Sequence, residues 1–286
     1  MDGRYTIESK DKMVLKLEGL FINIRSIFSD YKGDRIIIVG QLDIENNLKI
    51  IKPYQAFFQY KGPLGKWNIR VGHYILPFGL LSNYDTERLI LKTMEDLNLG
   101  IKLDTGIELL GFLGSFDYAV SVSQGVGQNR LTDIDNDKLI TARIGWQDED
   151  INLGLSGFIG EVLTEKDSII RKEIGSESLY EKRLGLDLTK YIGQLTLRGE
   201  LNIGKDKNDS VGGILLEADY SLIQKLELNF KYAYWQRKGS RNFIGIGFSY
   251  ELLRGLFIRF ANEYQFGKEN KNEFILQIYY DFSKNF

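Results

Sequence analysis

Glu273-Phe274-Ile275-Leu276-Gln277-Ile278-Tyr279-Tyr280-Asp281-Phe282-Ser283-Lys284-Asn285-Phe286 closes the chain. Phe274, Leu276, Ile278, Tyr280, Phe282 and Phe286 share one parity, and Glu273, Gln277, Asp281 and Ser283 share the other. Successive side chains of a strand point to opposite faces, so this stretch reads as a β-strand with one apolar and one polar face. One such strand cannot cover its own apolar face. The fold therefore depends on how often the alternation recurs.

Working back from that segment, the two-residue period returns repeatedly. Leu256, Ile258, Phe260, Tyr264 and Phe266 alternate with Arg259, Glu263 and Gln265. Ile244, Ile246, Phe248 and Tyr250 alternate with Gly245, Gly247, Ser249 and Glu251. Leu226, Leu228, Phe230, Tyr232 and Tyr234 oppose Glu227, Asn229 and Lys231, and Ile214, Leu216, Ala218 and Tyr220 oppose Glu217 and Asp219. Comparable runs begin at Leu195, Leu184, Ile151, Ile140 and Phe116. Further segments lie near 99–112, 65–77, 53–61, 34–45 and 13–27, the last with a phase shift around Glu18-Gly19 that reads as a bulge. Arg4 to Glu8 is a candidate first strand. Counting it gives sixteen strands, an even number that returns both termini to one side; fourteen is the fallback.

Composition removes competing classes. The 286 residues are 43% hydrophobic and 27% charged, and no run approaches the ~18 apolar residues of a membrane-spanning helix. A net charge of -2, with aromatics not interleaved with basic clusters, argues against a nucleic-acid binder. There is no cysteine and only one histidine, His73, so thiolate and paired-imidazole metal sites are excluded and no cofactor is expected. The 30 glycines are scattered and only three prolines interrupt the chain, so residues 1–286 read as a single domain. Met1-Asp2-Gly3-Arg4 lacks the charged and apolar regions of a secretory signal, so an exported protein would be represented here in its mature form.

The spacing of the segments supplies a second test. Counted from the C-terminus, connections of about six, five, five, seventeen and twelve residues alternate with connections of about two or three, within a boundary error of ~2 to 4 residues. Short turns on one side and longer loops on the other suit a transmembrane up-and-down barrel. The aromatic ending also resembles that of bacterial outer-membrane barrels. Val71-Gly72-His73-Tyr74-Ile75-Leu76-Pro77-Phe78-Gly79-Leu80 resembles the strand-to-loop segment of the phosphate-selective porins, the porin O/P family. Asp104-Thr105-Gly106-Ile107-Glu108-Leu109-Leu110-Gly111, Tyr118-Ala119-Val120 and Gly125-Val126-Gly127 resemble the two strands that follow. The resemblance implies a sixteen-stranded, usually trimeric outer-membrane channel for anions, lined by arginine and lysine. It also implies that the third external loop, roughly Phe78 to Asn98, folds into the barrel.

The chain departs from that family in charge. Its third loop, Ser82 to Leu97, sets Arg88 and Lys92 against Asp85, Glu87, Glu95 and Asp96, so the loop is not basic. The run Asp85 to Lys92 resembles a short helix, either a solvated one with self-paired charges or one that turns Arg88 and Lys92 to the pore. On the polar parity, Arg70, Lys102, Arg143, Arg183, Arg198, Lys231 and Arg259 point inward, together with a larger number of Asp and Glu residues. A cation facing lipid at mid-membrane would cost ~2 to 4 kcal/mol. The pore-lining and constriction candidates are Arg70, Asp85, Glu87, Arg88, Lys92, Lys102, Arg143, Arg183, Arg198 and Arg259. Outward Tyr220, Tyr232, Tyr234, Tyr250, Tyr264, Phe266, Tyr280 and Phe282 form aromatic girdles.

Two remaining groups are read as non-functional. His73 shares the lipid-facing parity of Ile69, Val71 and Ile75, and no serine is tied to it by spacing, so it reads as an interfacial histidine and the chain as no enzyme. Asp133, Asp135 and Asp137 lack the full spacing of a calcium loop and read as a polar loop. The function expected is passive diffusion of small hydrophilic solutes or ions through the bacterial outer membrane, with anions such as phosphate as candidates. The expected partners are outer-membrane lipid, lipopolysaccharide and further copies in a homotrimer. The alternative is a structural barrel that sheathes a partner protein, such as an electron-carrying cytochrome.

Overall fold

The computed structural model describes residues 2–9, 13–31, 33–45, 50–82, 91, 102–127, 136–163, 178–237, 239–267 and 270–281. The strands are β1 (Asp2–Ser9), β2 (Met13–Asp30), β3 (Gly33–Glu45), β4 (Ile50–Lys61), β5 (Asn68–Ile75), β6 (Leu103–Leu113), β7 (Phe116–Ser123) and β8 (Leu139–Gln147). They continue with β9 (Ile151–Leu163), β10 (Ser178–Ile192), β11 (Leu195–Asp206), β12 (Asp209–Ile223), β13 (Leu226–Gln236), β14 (Ser240–Leu253), β15 (Leu256–Gly267) and β16 (Lys271–Asp281). Each strand pairs antiparallel with its neighbours in sequence, and β1 pairs with β16 from Asp2 opposite Asp281 to Ser9 opposite Phe274, which closes the sheet into a barrel. Between β1 and β2, Arg4 pairs with Gly19 and Tyr5 with Leu17, so Glu18 is the extra residue of a bulge in β2.

The faces are those of a barrel turned inside out. On β10, Leu184, Leu186 and Leu188 are exposed, while Glu181, Arg183 and Asp187 are buried. The same inversion holds on β8, where Ile140 and Ile144 are exposed and Arg143 is buried. In a water-soluble sheet the apolar parity would be the covered one. Here the apolar residues form the outer surface and the polar ones line the interior. Tyr220, Tyr250, Tyr264 and Tyr280 are among the exposed outer aromatics; Phe282 and Phe286 lie outside the described residues.

Connection lengths differ in part from expectation. On one side lie 31–32, 62–67, 114–115, 148–150, 193–194, 224–225 and 254–255, all short. The opposite side carries the three longest connections, 76–102, 124–138 and 164–177, but also connections of only two or three residues at 207–208, 237–239 and 268–270. The latter three were expected to be loops of about five or six residues. The ladder runs on through polar pairs, Lys205 opposite Ser210 and Asp206 opposite Asp209, and Lys207 turns the chain with φ of 50°. Alternation stops where the apolar surface stops, and backbone pairing does not.

Candidate functional site

The interior is organised by the chain that leaves β5. Leu76 N donates to Lys102 O at 2.8 Å, which holds the two ends of the 76–102 connection together. Pro77 has no N–H to extend the ladder, and Gly79 turns the chain with φ of 59°. A side chain at Gly79 would strike the Glu200 carboxylate, so glycine is needed there for both conformation and space. From this turn the segment reaches inward. The buried Phe78 ring meets Phe158 of β9 edge-on, with centroids 4.8 Å apart. Gly79 N donates to Ser156 Oγ of β9 at 3.0 Å, and Leu80 N donates to Glu200 Oε2 of β11 at 3.1 Å.

Leu80 then packs among Val211 and Leu215 of β12, Ala233 and Trp235 of β13, and Phe243 of β14. In the closed order these strands lie across the lumen from β5. Further along the connection, Leu91 accepts a bond from Lys231 Nζ of β13 at 3.2 Å through its carbonyl. A side chain at Gly245 of β14 would lie 2.9 Å from Leu91. Small inward residues on the far wall thus leave room for the segment.

The take-off point is fixed by residues of β6, β7 and the connection after β7. Asp104 accepts from Thr105 N at 2.8 Å and from Gly125 N at 2.5 Å. Tyr74 Oη lies 2.9 Å from Ser121 Oγ, and Tyr74, Leu76 and Phe78 pack with Leu139 and Phe158. His73 is corrected by this arrangement. It is 1% exposed, with Nδ1 2.9 Å from Thr105 Oγ1, and does not sit at a lipid–water interface as its parity predicts. Neighbouring Gly72, at φ 132°, presses against the β4 backbone at Ala56 and Phe57, where a side chain would clash.

The predicted pore cations are distributed around the wall, most of them beside carboxylates. Arg70 Nη1 lies 2.9 Å from Glu108 Oε2, its Nε donates to Gln59 Oε1 at 3.1 Å, and its guanidinium covers Phe57. Arg143 bridges Asp117 at 2.8 Å and Asp187 at 2.9 Å, reaching from β8 to β7 and β10. It can do so because Gly145 and Gly154 leave the row between those carboxylates empty; a side chain at either would collide with this ion pair. Arg183 is paired with Asp206 and lies 3.4 Å from Glu181. Arg198 is paired with Asp219 and lies 2.8 Å from Glu217, which Lys231 also contacts at 2.9 Å. Arg259 stacks on Tyr279 at 3.8 Å and bonds Gln277 at 3.4 Å. Lys102 lies 4.9 Å from the Tyr54 ring. Asp85, Glu87, Arg88 and Lys92 lie outside the described residues, as do Asp133 and Asp135.

Arg198 and Arg259 are brought together with Lys231 on one cavity of about 370 Å³. Its roof includes Leu91, and its floor is the short-turn side at 223–226. Glu217, Asp219, Glu227, Glu251 and Asp281 line the same space, so its charge is mixed. Among the described residues no group of histidines or carboxylates is arranged to hold a metal ion.

The residues that seat the inward segment are absent from the predicted site. Glu200 was assigned to the inner wall by parity but not to this seat, and Ser156, Val211, Leu215, Ala233, Trp235 and Phe243 were not singled out. One signal was available: apolar Val211, Leu215, Trp235 and Phe243 stand on the inward parity of their strands, among Glu217, Asp219 and Lys231. Arg241 was also missed. It is 6% exposed, its guanidinium lies 4.7 Å from the Trp235 ring, and its Nε and Nη1 and the indole Nε1 have no hydrogen-bond partner among the described residues.

No protein-family model matches the chain, and no curated protein does. Solved structures do resemble it. The trimer form of OmpT, an outer membrane protein of Vibrio cholerae, superposes with a TM-score of 0.74 at 10% identity, over 98% of this chain and 96% of that one. An anion-selective porin from Comamonas acidovorans gives 0.74 at 13% identity, over 98% of each chain. OmpF of Salmonella typhi in complex with daunomycin gives 0.72 at 11% identity, over 98% and 95%. At such identities the likeness shows the fold, an all-β barrel of the kind these porins adopt.

Proposed function

We propose that the chain is an outer-membrane porin: a closed sixteen-stranded channel through which small hydrophilic solutes diffuse passively. The observation that carries this reading is the inward segment. Phe78 to Leu80 leaves β5 and docks on β9, β11 and β12–β14, narrowing a lumen lined by charge. An apolar outer surface supports placement in a bilayer. The segment also occupies space that a sheathed partner protein would need, which disfavours the structural alternative. The Vibrio OmpT structure is a trimer form, and a homotrimer is part of the proposal.

Selectivity is proposed to be by size first and by charge second. Arg70, Arg143, Arg183 and Arg198 already hold carboxylates, and a cation with a fixed counter-charge offers a passing anion little net field. Arg259, on the cavity below Leu91, is the proposed solute-facing cation. A preference for phosphate is the finer form of the reading and rests on the resemblance of the Val71 to Leu80 segment. Chemistry on the solute has no part in it.

Reconstitution of the purified chain in a planar bilayer tests this directly. Stepwise conductance is the expected outcome, and a membrane that stays silent at high protein loading would overturn the channel. In a salt gradient the reversal potential is expected to lie close to zero, and replacing chloride by phosphate is expected to lower the current without abolishing it.

A further inference from the structure

The outer surface of β10 and β11 holds a cationic group that the channel does not use. Lys182 and Lys205 are opposite one another on the ladder, both exposed. They share the outward parity of Leu184 and Ile203, which are themselves opposite one another and are 50% and 54% exposed. Two residues of strand separate the lysine pair from the apolar pair, about 7 Å. In the next row outward, Lys207 donates its backbone N–H to Tyr180 O, which brings a third exposed lysine beside an exposed tyrosine.

Like charges placed directly opposite on a sheet repel, so this pairing calls for a counter-anion. Among the described residues, no hydrogen bond or ion pair joins the ammonium of Lys182 or Lys205 to another side chain. The nearest carboxylate on the ladder, Glu161, is opposite Tyr180 in the row beyond. Among the described residues at the same edge of β12–β16, the outward Ser210, Gln236, Asn242 and Asn272 are uncharged.

We propose that Lys182, Lys205 and Lys207 form a docking site for the headgroup phosphate of an anionic lipid in the leaflet on the long-loop side. The inference rests on the membrane-spanning reading above. An acyl chain lies on Leu184 and Ile203, and the phosphate stands one step higher, where the ammonium groups are. Depth selects the occupant: a free phosphate ion has no use for the apolar pair directly beneath. Tyr180, with an apolar ring and a polar tip, suits the same headgroup depth.

The test uses the full chain in nanodiscs of equal phosphatidylglycerol and phosphatidylcholine, released into native mass spectrometry. The wild-type barrel is expected to retain phosphatidylglycerol over phosphatidylcholine. Each lysine should account for about fivefold of that preference. Lys182→Gln with Lys205→Gln should remove most of it, and Lys182→Arg with Lys205→Arg should keep it. Lys190→Gln, on the same strand toward the short-turn side, should leave it unchanged. Heat-modifiable gel migration checks that each variant is a folded barrel. Unchanged retention in the double Gln variant, or an equal loss in Lys190→Gln, overturns the site. Complete displacement by inorganic phosphate overturns the lipid as occupant. Conductance separates the two readings: a chain that retains phosphatidylglycerol through these lysines but never conducts defeats the channel and leaves the docking site standing.

Discussion

Two walls of the same lumen are built differently. Along β8–β14 the inward side chains are tied up: Arg143 with Asp117 and Asp187, Arg183 with Asp206, Arg198 with Glu217 and Asp219, and Glu200 with the backbone of the inward segment. Along β2 they are simpler and wetter. Asn23 and Arg25 of β2 are exposed, and opposite Asn23 stands Gln41, which accepts from Gln55 of β4 at 3.4 Å. The first wall receives the segment that crosses the lumen, so its charges are fixed by partners. The second receives nothing that the described residues show, and on β2 its polar groups face water, while Gln41 and Gln59 are buried. In the proposed channel labour is thus divided around the circumference, with one wall holding the inward segment in place and the other left as solute surface.

The division predicts that equivalent changes have unequal consequences. The largest is expected at Arg143. Arg143→Ala leaves Asp117 and Asp187 facing each other across Gly145 and Gly154 with no cation between them, at a cost of about 3–5 kcal/mol. Urea unfolding followed by gel migration should show a clear fall in midpoint; an unchanged midpoint would mean that the tied wall is no more than a row of solvated ions. A smaller loss is expected for Glu200→Ala, which strips the acceptor from Leu80 N–H and from the Asn202 amide. Orphaned buried donors cost about 1–3 kcal/mol. Here the current matters more than the midpoint. Release of the segment should raise single-channel conductance and its noise, whereas an identical current trace would show that Glu200 does not hold the constriction.

The two walls were also unequally legible in sequence. Period-two alternation located the strands of both and assigned Arg70, Arg143, Arg183 and Arg198 to the interior, because any other placement puts a cation in lipid. The Glu18-Gly19 phase shift located a bulge for the same reason. What parity could not provide was partnership. Arg143 reaches Asp187 two strands away only because two glycines lie between, a relation set by register and not by any local pattern. The seat of the inward segment was hidden for a different reason. Alternation assigns apolar residues outward, so Trp235 and Phe243, apolar on the inward parity, read as noise in the strand pattern when they are the contact surface for Leu80. His73 failed similarly: parity spoke for the lipid side, and only packing shows the ring covered and bonded to Thr105.

The smallest effect on stability belongs to the open wall, and it is the one that separates the two most cleanly. Arg25 is exposed on β2, opposite Val39, beside Ile27. Arg25→Gln removes a charge without opening a cavity or orphaning a buried donor, so the unfolding midpoint should hold within about 0.5 kcal/mol. The reversal potential should nonetheless move toward the cation side, because a wetted lumenal cation adds to the field that a passing anion meets. Salt fixes the interpretation. Screening length falls from about 10 Å at 0.1 M to about 3 Å at 1 M, so the shift should be plain at low salt and nearly vanish at high salt. A shift that persists at 1 M would place Arg25 in direct contact with the permeating ion. No shift at either concentration would take β2 out of the solute path and leave selectivity to the tied wall.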